Sequence, residues 1–262
     1  MPPMTENELR VIFDTIPEAF DRHRPRYCPE LFASLLARSG VTRGSAVLEL
    51  GPGTGQATEP LLDTGCDYCG IELGANFARM LERKYGARSN FRLIRGDFIT
   101  HDFGGARFDL ISSAATIQWI PEETAFSKTF ALLKPGGMLA MFFTRRDFKT
   151  ADPALYDKIQ QVYDRYFRPA VPYTHGSWRY TDAPKYGYVG WDRREFHTEQ
   201  VYSADEYVAF CGTHSDHIAT PEPYRSALYA GLREAVLNAG NRIKVLDTHI
   251  LMTAEKPAAR IR

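Results

Sequence analysis

The sequence predicts an α/β fold: a doubly wound, mostly parallel sheet of seven strands with helices on both faces and a helical, partly irregular cap insert. Three observations carry that expectation. From residue 46 to residue 143, short runs that are apolar throughout alternate with helical segments, the pattern of βαβ units whose strands are covered on both sides. A glycine-rich turn, Gly51-Pro52-Gly53-Thr54-Gly55, falls where the first strand gives way to a helix. After Arg145 the rhythm breaks, and two further strand-like runs close the chain.

Each element has a local reason. Leu9, Ile12, Phe13 and Ile16 recur at helical spacing, and Pro29-Glu30 opens a helix carrying Leu31, Phe32, Leu35 and Leu36. Ala46–Leu50 reads as a short buried strand, followed by the glycine turn and a helix through Leu61. Strands follow at 66–72, Phe91–Arg95, 108–113 and 138–143, with helices at Ala75–Tyr85 and 122–133. Lys134-Pro135-Gly136-Gly137 is turn chemistry. Asp152-Pro153 supplies an N-cap and a first helical residue for a helix whose apolar face holds Leu155, Ile159, Val162, Tyr163, Tyr166 and Phe167. Residues 169–191 are rich in Pro, Gly and Tyr and hold Trp178 and Trp191; so long an irregular stretch is usually functional, often a lid. A strand at 194–202, helices at 204–210 and 223–237, and a last strand at 242–254 complete the fold. The organisation expected is an N-terminal helical lid (1–40), a core (41–146), a Tyr-rich cap insert (147–191) and a C-terminal completion of the sheet (192–262).

The chain has 262 residues, enough to bury about three-quarters of its unfolded surface without a metal or disulfide staple. Lys and Arg total 32, as do Asp and Glu, and the zero net charge argues against affinity built on phosphate neutralisation. No apolar run approaches the ~18 residues of a membrane span, and the N-terminus, acidic early and interrupted, lacks the pattern of a secretory signal. Four cysteines in a chain this long make no disulfide scaffold. The default that follows is a cytoplasmic enzyme, monomer or homodimer, with a small-molecule substrate and neither nucleic acid nor membrane as partner.

The informative segment is Val47-Leu48-Glu49-Leu50-Gly51-Pro52-Gly53-Thr54-Gly55-Gln56. A glycine turn between a buried strand and a helix lets a ligand approach the backbone and offers helix N-terminal amides to an anionic group. The dinucleotide fingerprint G-x-G-x-x-G needs a third glycine where this chain has Gln56, and no P-loop is present. Glu72 ends the second strand, where a carboxylate can accept two hydrogen bonds from a ribose diol. Asp97-Phe98 follows the third strand; the carboxylate can accept from an adenine amino group and the ring can pack beside it. Singly, each reads as well as a tight turn, a solvated strand end or a loop acid. Their order along consecutive strand ends is where an open α/β sheet of the Rossmann-like kind binds its ligand.

VLELGPGTGQAT, GIELGANFARML, GDFITHDF, FDLISSAATIQWI and LLKPGGMLAMFF, in this order, resemble the successive motifs of class I S-adenosylmethionine-dependent methyltransferases. The resemblance covers about residues 20–145 and is strongest to the small-molecule branch that includes trans-aconitate methyltransferase-like proteins and bacterial type 11/25 domains. It implies S-adenosylmethionine as cofactor, S-adenosylhomocysteine as its product, and no metal. It implies that Gly51, Gly53, Gly55 and Gln56 approach the methionine part, that Glu49 lies beside the amino group, and that Glu72 with Leu73 holds the ribose. Asp97 and Phe98 would read adenine, and Ser113 and Ala114 would lie by the methionine carboxylate and the methyl group. Relatives often carry His-Trp where this chain has Gln118-Trp119, which leaves an amide that orients but does not take a proton.

Other groups are open to two readings. Cys66-x-x-Cys69 has a metal-like spacing, but residues three apart on a strand face opposite sides, so two packed thiols are expected. The segment from Cys211 to His217 is either a helix-terminating turn or a polar patch facing substrate. Arg22, His23, Arg26 and Tyr27 form a solvated helix junction or, as the resemblance favours, a lid over the cofactor. Transfer of a sulfonium methyl asks the protein to align a nucleophile and, for a hydroxyl or amine, to take its proton. Candidates for the base are His23, His214 and His217; a carboxylate acceptor would instead want a clamp from Arg145, Arg179 or Arg193. Tyr27, Gln118, Trp119, Arg145, Tyr173 and Trp178 are the expected substrate-facing residues. The rivals are a catalytically silent cofactor-binding module and an NAD-dependent oxidoreductase, the latter opposed by Gln56.

Overall fold

The computed structural model describes residues 6–169 and 179–258. Its seven strands are β1 (Ala46–Leu50), β2 (Asp67–Glu72), β3 (Phe91–Arg95), β4 (Phe108–Ala114), β5 (Leu133–Asp147), β6 (Val189–Tyr202) and β7 (Ile243–Glu255). They form one sheet in the order β3-β2-β1-β4-β5-β7-β6. Pairings β1–β2, β1–β4, β2–β3 and β4–β5 are parallel, with Leu50 opposite Ile71 and Ser113, Glu72 opposite Arg95, and Ala114 opposite Phe142. The chain order reverses between β1 and β4, which sets a crevice at their carboxyl ends. Gly136 N–H donates to the Lys256 carbonyl and Lys256 N–H to the Gly137 carbonyl, while Thr144 meets His249 further along, so β7 runs antiparallel to β5. The same bonds correct the expected turn at Lys134–Gly137: a partner strand supplies hydrogen bonds there, and the segment is part of β5.

Helices flank the strands: α1 (Glu6–Val11), α2 (Pro17–His23), α3 (Pro29–Ser39), α4 (Thr58–Leu62), α5 (Ala75–Tyr85), α6 (Glu122–Leu132), α7 (Pro153–Tyr166), α8 (Ala204–Cys211), α9 (Ser215–Ala219) and α10 (Tyr224–Asn238). Asp152 caps α7 as the sequence suggests, its side chain accepting from Leu155 N–H at 3.0 Å with Pro153 in the first turn. Ser203 and Glu206 close a capping box at α8. No helix among the described residues is long and apolar enough to cross a membrane.

The chain divides into two compact units. One comprises Arg26–Thr144, His175–Phe196 and His249–Arg262. Its two apolar layers lie on opposite faces of the strands: Leu48, Leu50, Ile71, Ile111 and Met141 in one, Val47, Tyr68, Leu110, Ala140 and Phe142 in the other. Cys69 packs in the first layer and Cys66, just before β2, in the second, so the two thiols lie on opposite faces. Tyr186 stacks on Phe126 at 5.0 Å and the Tyr188 hydroxyl lies 2.8 Å from Thr129 Oγ1, so these two tyrosines of the expected cap are core of this unit.

The other unit comprises Met1–Pro25, Arg145–Thr174 and His197–Thr248. Its core joins Leu155 and Ile159 of α7 to Tyr207, Phe210, Leu228, Leu232 and Val236. Arg146 and Asp247 face each other inside it, Nε to Oδ1 3.4 Å, with the Asp247 side chain fully buried. The Arg146 guanidinium lies 4.8 Å over Phe210. Burial pushes the Asp247 carboxyl upward in pKa and Arg146 opposes it. Neither Asp247 oxygen accepts a hydrogen bond, so the ion pair carries its desolvation with little compensation. Arg146→Met alone is expected to cost about 3–5 kcal/mol by leaving a buried charge unpaired, whereas Arg146→Met with Asp247→Leu is neutral or stabilising; urea unfolding of the three proteins checks this.

Candidate functional site

The glycine loop leaves β1 under two local constraints. Gly51 has φ +58°, and a Cβ there would lie 2.4 Å from Thr116 Cγ2. Gly55 has φ +97°, and a Cβ there would meet the Tyr85 ring at 2.8 Å. Both positions therefore need glycine for conformation and for space. The loop is also held by side chains that sequence reasoning passed over. Thr116 Oγ1 donates to the carbonyls of Gly51 and Ala114, each at 3.1 Å, tying the loop to the end of β4. Lys84 Nζ donates to the Thr54 carbonyl at 2.7 Å and Arg26 Nη1 to the Gly55 carbonyl at 3.1 Å. Gln56 is turned onto the loop itself, Nε2 to Thr54 Oγ1 at 2.6 Å.

Glu72 is the hub of the loop. Its Oε2 accepts from Gly53 N–H at 2.9 Å and its Oε1 from Gly74 N–H at 2.7 Å, and the residue is 6% exposed. One carboxylate thereby fixes the glycine turn after β1 against the turn after β2. Leu73 beside it is solvent-exposed. Asp97 accepts from Ile99 N–H at 2.9 Å in the loop after β3. Phe98 beside it is buried, 5.8 Å from Phe103 and 5.1 Å from the Lys128 ammonium, so the ring expected near adenine also packs in the core.

Glu49 is wholly buried at the next-to-last residue of β1. Its Oε2 accepts from Tyr68 at 2.6 Å and Thr58 at 2.8 Å, while Oε1 has no hydrogen-bond partner. Desolvation pushes its carboxyl up to about 7, against the pull of those two donors. Ser113 Oγ at the end of β4 is likewise buried without a partner. Two unsatisfied polar atoms beside a loop that excludes side chains are what a site built for a polar ligand leaves behind.

The remaining expected residues divide between the two units. Gln118 spends its amide on the Ala115 carbonyl at 3.0 Å and the Tyr180 hydroxyl at 3.1 Å. Trp119 is half-buried in the single 3-10 turn Ile117–Trp119. Tyr27 packs edge-on to Phe142 at 4.8 Å, in the same unit as the loop. Arg145 is exposed; its neighbour Arg146 is the inward residue, because successive strand residues face opposite ways. Tyr173 and Trp178 lie outside the described residues. His23, His214 and His217 belong to the other unit. There the segment read as a turn ends in α9, His214 Nδ1 contacts the Cys211 carbonyl at 3.1 Å, and His217 Nε2 contacts the Tyr163 hydroxyl at 3.0 Å. Burial lowers both imidazole pKa values, that of His214 well below the usual range with the Arg24 charge assisting, so both are held neutral among aromatic rings.

Because the folded-state pKa of Glu49 is raised, its contribution to stability is fully present below about 4.5 and is lost as pH rises through about 7. Wild type is expected to lose about 3 kcal/mol between those limits that Glu49→Gln does not lose; urea unfolding at a series of pH values tests the difference.

Residues 48–141 match a family model described as a methyltransferase domain. The sterol 24-C-methyltransferase ERG6 of Saccharomyces cerevisiae is 30% identical over 129 residues, which is 44% of this chain and 34% of that protein. The chain thus spans about a third of the length of that curated relative. Among solved structures, the Haemonchus contortus phosphoethanolamine N-methyltransferase 2 complex with phosphomonomethylethanolamine and S-adenosylhomocysteine superposes with TM-score 0.54 at 18% identity, over 93% of this chain and 57% of that one. The [4+2]-cyclase SpnF superposes with TM-score 0.59 at 13% identity over 99% of both chains. At those identities the structures speak for the fold, and the sequence match speaks for the lineage. Residues 48–141 are thus similar to a methyltransferase domain.

Proposed function

We propose that the protein transfers a methyl group from S-adenosylmethionine to a small-molecule acceptor. The observation that carries this is Glu72, a nearly buried carboxylate set by two backbone amides at the carboxyl end of β2, beside a loop in which Gly51 and Gly55 admit no side chain. Each carboxylate oxygen has two acceptor sites, so the amide bonds fix the carboxylate's plane for hydroxyls of a ribose. The lone oxygen of Glu49 and the hydroxyl of Ser113 fit the polar groups of an amino acid moiety, and Asp97 fits an adenine amino group. When bound, the cofactor supplies an electrophilic methyl carbon on a positively charged sulfur. The chain's own tasks are to hold that group, to exclude water and to align the acceptor, and alignment alone can supply roughly 7–11 kcal/mol of the barrier.

The same reading gives a cytoplasmic protein, monomeric or homodimeric, with a small molecule rather than nucleic acid or membrane as partner. The zero net charge and four buried free cysteines support it. ERG6, named for a sterol acceptor, supports the small-molecule class. The cyclase neighbour favours one rival, use of this fold without methyl transfer. Calorimetric titration with S-adenosylhomocysteine and with NAD, followed by an acceptor screen with methyl-labelled donor, separates the readings. Expected are micromolar or tighter binding of the first ligand, none of NAD, and about 10- to 150-fold weaker binding by Glu72→Ala, the loss of a charge-assisted contact worth about 1.5–3 kcal/mol. NAD binding in its place would sink the assignment. Binding of S-adenosylhomocysteine without label transfer to any acceptor would favour the rival.

A further inference from the structure

In the unit that contains α7, four buried polar atoms without a hydrogen-bond partner gather at one place: Arg146 Nε, both Asp247 carboxylate oxygens and the Tyr202 hydroxyl. Arg146 stands near the end of β5, Asp247 on β7 and Tyr202 at the end of β6. Arg146 Nε and Asp247 Oδ1, 3.4 Å apart, form an ion pair without a hydrogen bond. The Arg146 guanidinium lies 4.8 Å over Phe210, and the Tyr202 ring stacks on the same Phe210 at 5.6 Å with 9° between the planes. The charges of Arg146 and Asp247 both bear on the Tyr202 hydroxyl, in opposite senses.

These contacts engage one face and one side of a planar group. Phe210 takes the face of the guanidinium and Asp247 its Nε side, which leaves the edge formed by Nη1 and Nη2. Neither of those nitrogens has a hydrogen-bond partner among the described residues. The side chain keeps 16% of its exposure, and the Nη edge shares in it, whereas Nε is sealed from solvent. A buried ion pair of this kind contributes little to folding. What it does is aim the fork before a ligand arrives, which lowers the ordering cost of binding.

The arginines that the sequence suggested as a carboxylate clamp lack this setting: Arg145 and Arg179 are exposed, and Arg193 is paired with Glu195. We propose that Arg146, held by Asp247 and Phe210, binds a small-molecule carboxylate whose two oxygens accept from Nη1 and Nη2. A carboxylate matches the planarity and spacing of that edge and carries a single charge. Burial already biases Asp247 toward its neutral form, which lessens its repulsion of an incoming carboxylate. A phosphate dianion would set a second negative charge beside Asp247 with no second fork to meet it. Arg24, the other guanidinium whose charge bears on His214, already donates to the Thr213 carbonyl at 3.1 Å. The site lies within one unit and owes nothing to the cofactor reading.

The test uses the full chain with ¹⁵N-labelled arginine. The sealed Nε–H of Arg146 exchanges slowly enough to be followed, and its signal is assigned by its loss in Arg146→Lys. Sodium acetate is titrated at constant ionic strength against sodium chloride, with sodium phosphate as a separate arm. Expected is a saturable shift of the Arg146 signal with a midpoint of about 1–10 mM acetate, and about tenfold weaker binding of phosphate. No shift, a shift that chloride alone reproduces, or phosphate binding as tight as acetate overturns the assignment. A second readout is the urea midpoint, which acetate in place of chloride should raise in the wild type by mass action. The rise is expected to shrink in Arg146→Lys, which keeps the charge and loses the fork, and to vanish in Arg146→Met with Asp247→Leu, whose folding is expected to be unimpaired. An equal rise in all three proteins is a salt effect on folding and refutes the site.

Discussion

Two backbone N–H groups converge on one carboxylate: Gly53 from the loop after β1 and Gly74 from the turn after β2 both donate to Glu72. The rest of the site depends on that arrangement. A glycine-rich turn has high conformational entropy, and tying its central amide to a nearly buried charge removes much of it before any ligand arrives. Charge-assisted hydrogen bonds are stronger than neutral ones, so the loop's shape is set by the residue expected to hold the ligand. Thr116, Lys84 and Arg26 complete the restraint from the carbonyl side, each accounting for a different loop oxygen.

Glu49 shows the opposite economy. Glu72 is anchored by backbone donors, whereas Glu49 keeps one oxygen unsatisfied in the interior, with Tyr68 and Thr58 sharing the other. A core leucine would fold better at such a position. A carboxyl poised near neutrality has value only where a ligand brings a compensating positive group, and the unfavourable burial is then relieved on binding.

The glycine turn and strand-end acids of the candidate site were legible because they are local in sequence. Strand, glycine turn and strand-end acid recur at short spacing, and the parallel βαβ rule carries them to one edge of the sheet. What was illegible came from pairing between distant segments. His249 lies far from the motifs, and only strand pairing brings Thr144 against it. From Ile243 to His249 alternate residues are buried, and that face carries Asp247 and His249. Ionisable residues in the buried register of a strand are worth asking about before the partner strand is known. Arg145 and Arg146 make the same point, since a one-residue slip along a strand exchanges the inward side chain for the exposed one. Phe98 shows that an aromatic next to an expected binding acid can also close the core beneath it.

Thr116 occupies the volume that a side chain at position 51 would need. The two positions are about as far apart in the chain as the whole βαβ stretch between them, yet sterically they are a single locus. A lineage can enlarge or branch residue 116 only while residue 51 stays glycine, and any branch that lost the glycine would first have to shrink the threonine and forfeit its link to the end of β4. Correlated change at 51 and 116 among descendants of this sequence would therefore record a packing constraint, and the variety seen at 116 would measure how rigidly a lineage needs its loop held.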